Sequence, residues 1–165
     1  MNLFESPELE KQAKSLFLVA SDAVSELISY SGKLEKRGIC EAIMFNSNLI
    51  LNEPKLRLKH NFSDIEDGYL TLLFFLIQRE RPEKTTEELF SFIDERLSFY
   101  SEEYNKLMNK DKYLPMWVYS TFYLVPLEDE PKPCLDVFEI LSFQLGLFAM
   151  VEKVKELLNI EIQKI

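Results

Sequence analysis

The sequence predicts an all-α protein, a single-domain bundle of five or six helices that spans residues 1–165. Apolar residues recur at spacings of three and four along most of the chain, which is the period of an amphipathic helix. Only four of the 165 residues are glycine, whereas a sheet protein of this size normally needs more glycine in its turns. With 47% hydrophobic and 13% aromatic residues, the chain can bury one core, so we expect a folded domain rather than disorder.

The first predicted helix begins at Ser6-Pro7-Glu8 and ends at Gly32. Serine is a favoured N-cap, proline suits the first helical turn, and a glutamate there interacts favourably with the helix dipole. A wide apolar stripe then follows the helical period: Leu9, Ala13, Leu16, Phe17, Ala20, Val24, Leu27 and Ile28.

A second helix is predicted from about residue 34 or 39 to Leu51. The segment Asn52-Glu53-Pro54 closes it, because a residue that precedes proline avoids the helical conformation. Basic and leucine residues alternate over 55–59, which predicts an extended connector. The only histidine, His60, follows on this polar connector, so an exposed position is favoured over a catalytic one.

The sequence SDIEDG at 63–68 resembles a calcium loop in its acidity and a helix start in its spacing. An EF-hand loop aligned on its glycine would place Ile65 and Phe74 at ligand positions, and neither side chain can bind a metal ion. Ser63 and Glu66 instead have the spacing of a capping box. The sequence therefore predicts the start of a helix and no metal site.

This third helix is predicted over 64–80. Because it is apolar on nearly every side at 70–77, we expect it to be the central and most buried helix. It stops near Pro82.

A second capping box, formed by Thr85 and Glu88, opens the clearest amphipathic helix of the chain. Its predicted apolar stripe is Leu89, Phe90, Ile93, Leu97, Tyr100, Tyr104, Leu107 and Met108. Acidic and serine residues occupy its other face: Glu87, Ser91, Asp94, Glu95, Ser98, Glu102 and Glu103. These carboxylates are interpreted as a solvated face.

The segment 113–127 is ambiguous between helix and strand. Its aromatic and β-branched residues suit a strand, whereas Pro115 and Pro126 bracket a length that suits a short buried helix. The helical neighbourhood favours the helix. A last helix is predicted from about Cys134 to near Leu158.

The formal net charge is −9, and the excess of acid falls in residues 61–165. An acidic body repels nucleic acid and anionic membranes and attracts basic proteins. We therefore expect a protein partner of basic character, with a homodimer as the other expectation, and neither nucleic acid nor membrane as a partner. The N-terminal residues have no signal-peptide pattern and no apolar run could span a bilayer, which favours a cytoplasmic protein.

No pattern in the sequence predicts a cofactor, a metal site or a catalytic residue. The two cysteines, Cys40 and Cys134, are far apart and lack zinc-site spacing. Glycine-rich phosphate loops are absent, and a single histidine excludes the usual di-iron pattern. Glu88, Glu95 and Glu102 are spaced by seven and share a helix face, so a carboxylate- and metal-dependent hydrolase is an alternative hypothesis.

Polar-tipped aromatic residues cluster between 100 and 123, and they are the candidate binding residues: Tyr100, Tyr104, Tyr113 and Trp117. Such side chains favour interfaces and ligand pockets, although they also pack ordinary cores. Glu41 and Gln144 have apolar neighbours and either line a pocket or lie at the edge of an apolar stripe.

The connector and its neighbourhood form the one positive patch that the sequence suggests, interpreted as solvated loops, with a local site for an anion or a partner as the alternative: Lys33, Lys36, Arg37, Lys55, Arg57, Lys59 and His60. The favoured hypothesis is a non-catalytic acidic protein that acts by protein–protein binding, as an inhibitor, immunity factor or adaptor. The alternatives are a small-molecule-binding domain with an aromatic pocket, and the hydrolase.

Overall fold

The computed structural model describes residues 6–31, 36–110 and 137–162, which form six helices and no strand. The helices are α1 (Pro7–Ser31), α2 (Lys36–Leu51), α3 (Pro54–Arg57), α4 (Phe62–Glu80), α5 (Thr86–Lys110) and α6 (Val137–Ile162). The all-α prediction is confirmed. The ambiguous segment 113–127 and Cys134 lie outside the described residues.

Two of the predicted helix starts are confirmed by their hydrogen bonds. At the start of α1, the backbone N–H of Leu9 donates to Ser6 Oγ at 3.1 Å. At the start of α5, the backbone N–H of Thr85 donates to Glu88 Oε2 at 2.8 Å, and the N–H of Glu88 donates to Thr85 Oγ1 at 3.3 Å. Each bond satisfies an N–H group that the helix itself leaves unpaired.

The predicted capping box of Ser63 and Glu66 is wrong. Helix α4 begins two residues earlier than predicted, at Phe62, and its N-cap Asn61 makes no side-chain capping bond. The Asn61 side chain is used elsewhere, because its Nδ2 donates to Gln12 Oε1 on α1 at 3.3 Å. A tertiary contact has thus replaced the local cap that the sequence pattern suggested.

The predicted extended connector is also wrong at its start, where α3 forms a single helical turn. Glu53 caps this turn by accepting a bond from the backbone N–H of Lys55 at 3.4 Å, and Pro54 occupies its first position. Proline there has a backbone angle that suits a helix. The turn directs Leu56 into the core, where it is fully buried.

The centre of the bundle is α2 rather than α4. Helix α2 contacts all five other helices, and its residues 42–48 are all buried. Helix α4 buries one side against α1, α2 and α5, but Phe75 on its other side is 45% exposed. Residues 70–77 of α4 are apolar on nearly every side because one side is buried and the other carries the exposed Phe75.

Helices α1 and α6 form the most extensive pair and run antiparallel. Early residues of α1, such as Lys11, lie beside late residues of α6, such as Leu157. Later residues of α1, such as Ala23, lie beside early ones, such as Gly146. Among the described helices, none combines the length and apolarity that crossing a bilayer requires.

Candidate functional site

The exposed side of α5 is acidic. It carries five exposed carboxylates, which with the two phenylalanines at its edges we call the acidic face: Glu87, Glu88, Asp94, Glu95, Glu102, Phe90 and Phe99. Phe90 is 58% exposed and Phe99 is 37% exposed. Since nine residues make two and a half helical turns, these two rings lie on opposite edges of the acidic face.

One edge of the acidic face is held by aromatic contacts with α4. The Phe90 ring stacks on Phe74, with centroids 4.6 Å apart and planes at 23°. Phe74 also contacts Phe75 edge-on, with centroids 5.8 Å apart. Phe90 is therefore both exposed and fixed in position, which reduces the conformational entropy that it would lose on binding.

The opposite edge lies above a buried cation. Arg96 is only 4% exposed, and its guanidinium carbon lies 4.9 Å from the ring centroids of both Phe99 and Tyr100. It is the single basic residue among the described side chains of α5. The positive charge of Arg96 therefore lies on the inner side of the helix. Among the described side chains of α5, no basic one is exposed beside the carboxylates.

Tyr100, the first of the predicted binding residues, is packed in the core. It is fully buried, and its ring contacts Phe45 on α2 edge-on, with centroids 5.4 Å apart. Its hydroxyl oxygen accepts a hydrogen bond from Arg96 Nη2 at 3.1 Å. Tyr100 is therefore a core residue that a ligand in solvent cannot reach.

The other three predicted binding residues cannot be placed beside it. Tyr104 lies on α5, but its side chain is outside the described part of the structure, and Tyr113 and Trp117 lie outside the described residues altogether. The aromatic site remains a prediction. The side chains of Glu41 and Gln144 are likewise outside the described part.

Phe90 is the residue that sequence periodicity misplaced. It was predicted in the buried stripe, but Phe92 is buried in its place. The observed buried stripe includes a basic residue: Leu89, Phe92, Ile93, Arg96 and Tyr100. Arg96 interrupts the apolar pattern, so the pattern followed the wrong edge of the helix.

The carboxylates of the acidic face project from a single helix into solvent, as the sequence predicted. His60 is also exposed. Within the described residues, no group of three or more His, Cys, Asp or Glu side chains is arranged to hold a metal ion.

A cavity of about 130 Å³ lies between α1, α3 and the turn that follows it, the start of α4 and the end of α6. Its apolar lining is aliphatic: Leu16, Leu56, Ile65, Leu157 and Leu158. Polar side chains line the rest: Glu8, Lys11, Gln12, Ser15 and Lys59. None of the described residues that line this cavity is aromatic.

No family model, curated protein or solved structure matches this chain. The function has to be inferred from the acidic face and the cavity themselves.

Proposed function

We propose that this protein acts by binding a basic protein partner through the acidic face of α5, as a non-catalytic inhibitor, immunity factor or adaptor. The observation that carries the proposal is the combination of five exposed carboxylates with two exposed phenylalanine rings on one helix face. The net charge of −9 adds a long-range attraction for such a partner.

The two kinds of side chain on the acidic face supply different parts of a binding energy. Carboxylates steer a basic partner and select against acidic ones, while contributing modestly to affinity at the solvated rim. Exposed aromatic rings bury apolar area and commonly act as anchors. Phe90 suits this role because its stack on Phe74 already fixes its orientation.

The same face favours arginine as the partner's contact residue. A guanidinium group can pair with a carboxylate and stack on a phenylalanine ring at the same time. Within the protein itself, the guanidinium group of Arg96 lies over the ring of Phe99 in this way, on the buried side of α5. The upper surface of the acidic face offers a partner's arginine Phe90 and Asp94, which are one helical turn apart.

The test is comparative affinity capture from the cells that make the protein, with bound proteins identified by mass spectrometry. The test variant carries Asp94→Lys with Glu102→Lys, and the matched control carries Asp67→Lys with Glu156→Lys. All four residues are exposed, and both pairs change the net charge by the same amount. At about 50 mM salt, the wild type and control should retain a basic protein that the test variant loses, and about 300 mM salt should weaken its retention.

The apolar part of the acidic face is tested separately. Phe90→Ser should release the same partner, whereas Leu145→Ser, which changes another exposed apolar residue, on α6, should retain it. A partner that is lost from both charge variants, or from neither, contradicts the proposal. Self-association that disappears with Asp94→Lys and Glu102→Lys would instead identify a second copy of the chain as the occupant.

A further inference from the structure

The cavity between α1 and α6 has an apolar interior and a basic opening, and it is separate from the acidic face. Four of its aliphatic lining residues are almost completely buried: Leu16, Leu56, Ile65 and Leu158. They come from four different helices, so the interior is formed by the tertiary fold rather than by one groove. An interior of this kind favours a hydrocarbon or aromatic group over water.

The charges at the opening are predominantly positive. Lys11 on α1 and Lys59 on the turn after α3 both line the cavity, and Glu8 is the single acidic residue among its lining side chains. Gln12 Nε2 donates to Glu8 Oε1 at 3.5 Å, which directs this carboxylate towards its own helix. A third lysine is adjacent, because Lys55 Nζ donates to Asn159 Oδ1 at 3.3 Å, next to Leu158.

We infer that this cavity binds a small carboxylate with a short apolar tail, such as an aliphatic or aromatic acid with about six carbons. The tail occupies the aliphatic interior and the carboxylate lies at the opening, between Lys11 and Lys59. The volume of about 130 Å³ sets the size of the ligand, since a dry cavity of about 150 Å³ is known to hold benzene.

Hexanoate is the probe, and 1-hexanol and hexylamine are its neutral and cationic counterparts. Titrations followed by NMR and calorimetry should give saturable binding of hexanoate, with methyl shifts at Leu16 and Leu56, and an affinity at least about ten-fold above that of 1-hexanol. Hexylamine should bind more weakly than either. Affinity should rise about four-fold per methylene from butyrate to hexanoate.

Chain length distinguishes a free short acid from the end of a long acyl chain. If the cavity encloses the tail, affinity should stop rising once the tail exceeds the space available. A continued rise to dodecanoate would instead indicate association along an open surface, and it would overturn the proposal. Absence of hexanoate binding, or equal affinity for hexanoate and 1-hexanol, would overturn it as well.

Variants locate the binding within the structure. Lys11→Gln with Lys59→Gln should weaken hexanoate by at least about ten-fold and leave 1-hexanol unchanged. Lys14→Gln with Lys155→Gln is the matched control, because it removes the same charge and these two lysines are outside the cavity lining, where they pair with Glu10 and Glu152. Leu157→Trp, at a half-buried lining position, should fill the space and abolish binding of both ligands while far-ultraviolet circular dichroism remains helical. Unchanged hexanoate affinity in the double lysine variant would refute the position of the carboxylate between Lys11 and Lys59.

Discussion

The hydroxyl oxygens of Ser47 and Tyr69 lie 2.7 Å apart in the interior, where α2 packs against α4. Both side chains are fully buried. Ser47 Oγ also donates to the carbonyl oxygen of Ile43 at 2.6 Å, so the Tyr69 hydroxyl is the donor within the pair. This contact satisfies two polar groups that would otherwise be costly to bury.

Removing either hydroxyl of this pair should therefore destabilise the fold unequally. Ser47→Ala leaves the Tyr69 hydroxyl buried without its acceptor and should lower the free energy of unfolding by roughly 1–3 kcal/mol. Tyr69→Phe should lower it by about 1 kcal/mol, and the double variant by less than the sum of the two. Urea denaturation measures all three. Additivity within about 0.5 kcal/mol would show that the two hydroxyls are not coupled.

The pKa of Tyr69 predicts how stability changes in alkaline solution. Burial, partly opposed by the Ser47 hydrogen bond, raises the pKa of Tyr69 above its ordinary value. Above about pH 10 the unfolded state loses this proton while the folded state keeps it, so the stability that Tyr69 contributes is present below that pH and is lost as the pH rises further. Urea denaturation between about pH 9 and pH 11 should show a steeper loss for the wild type than for Tyr69→Phe. Parallel curves would contradict this prediction.

The capping box of α5 predicts the opposite dependence in acid. The backbone N–H of Thr85 holds the pKa of the Glu88 carboxyl below its ordinary value, and Lys84 adds a smaller electrostatic contribution. The stabilisation is therefore present above the unfolded pKa and is lost as the pH falls through the folded pKa. Glu88→Gln should flatten this part of the stability curve, as thermal unfolding between about pH 3 and pH 6 can show. Glu87→Gln, at the neighbouring exposed position, is the charge-matched control, and equal effects of the two substitutions would contradict this prediction.

Tyr100 should prove to be a structural residue. Tyr100→Phe removes the acceptor of the Arg96 Nη2 hydrogen bond and should lower the free energy of unfolding by about 1 kcal/mol or more, because Arg96 is charged and buried. The same variant should leave the capture of a basic partner by the acidic face unchanged. If Tyr100→Phe lost the partner but kept the stability of the wild type, Tyr100 would be a binding residue and this prediction would be wrong.

Local signals in the sequence were sufficient to predict most of the helices. The caps at Ser6 and Thr85 act within a few residues of themselves, and the amphipathic period of α5 is a property of one segment. The cap predicted at Ser63 is absent because α4 has Asn61 as its N-cap. The side chain of Asn61 bonds to Gln12 on α1, which is far away in the sequence. Sequence patterns do not contain that partner.

The central position of α2 was not predictable, because three consecutive polar residues interrupt its apolar pattern. Asn46, Ser47 and Asn48 are all buried. Asn46 Nδ2 donates to the carbonyl oxygen of Ala20 on α1 at 3.1 Å, and Ser47 has the partner described above. Such residues become compatible with a core only through partners that the fold supplies.

The acidic face and the cavity also differ in whether the sequence could predict them. The carboxylates of the acidic face belong to one helix, and their solvated position was predicted from spacing alone. The cavity combines Lys11, Lys59 and Leu157, which are far apart in the sequence. No motif could have brought these residues together, because only the packing of α1 against α6 does so.

The antiparallel pairing of α1 with α6 also imposes an order in time on the formation of the protein. During synthesis on the ribosome, α1 emerges more than 100 residues before α6, the described helix against which it packs most extensively. Contacts between residues so distant in the chain form slowly, and surface that awaits its partner is prone to aggregation. We expect the nascent chain to depend on chaperones until α6 has emerged, and the core between α1 and α6 to form only after that point.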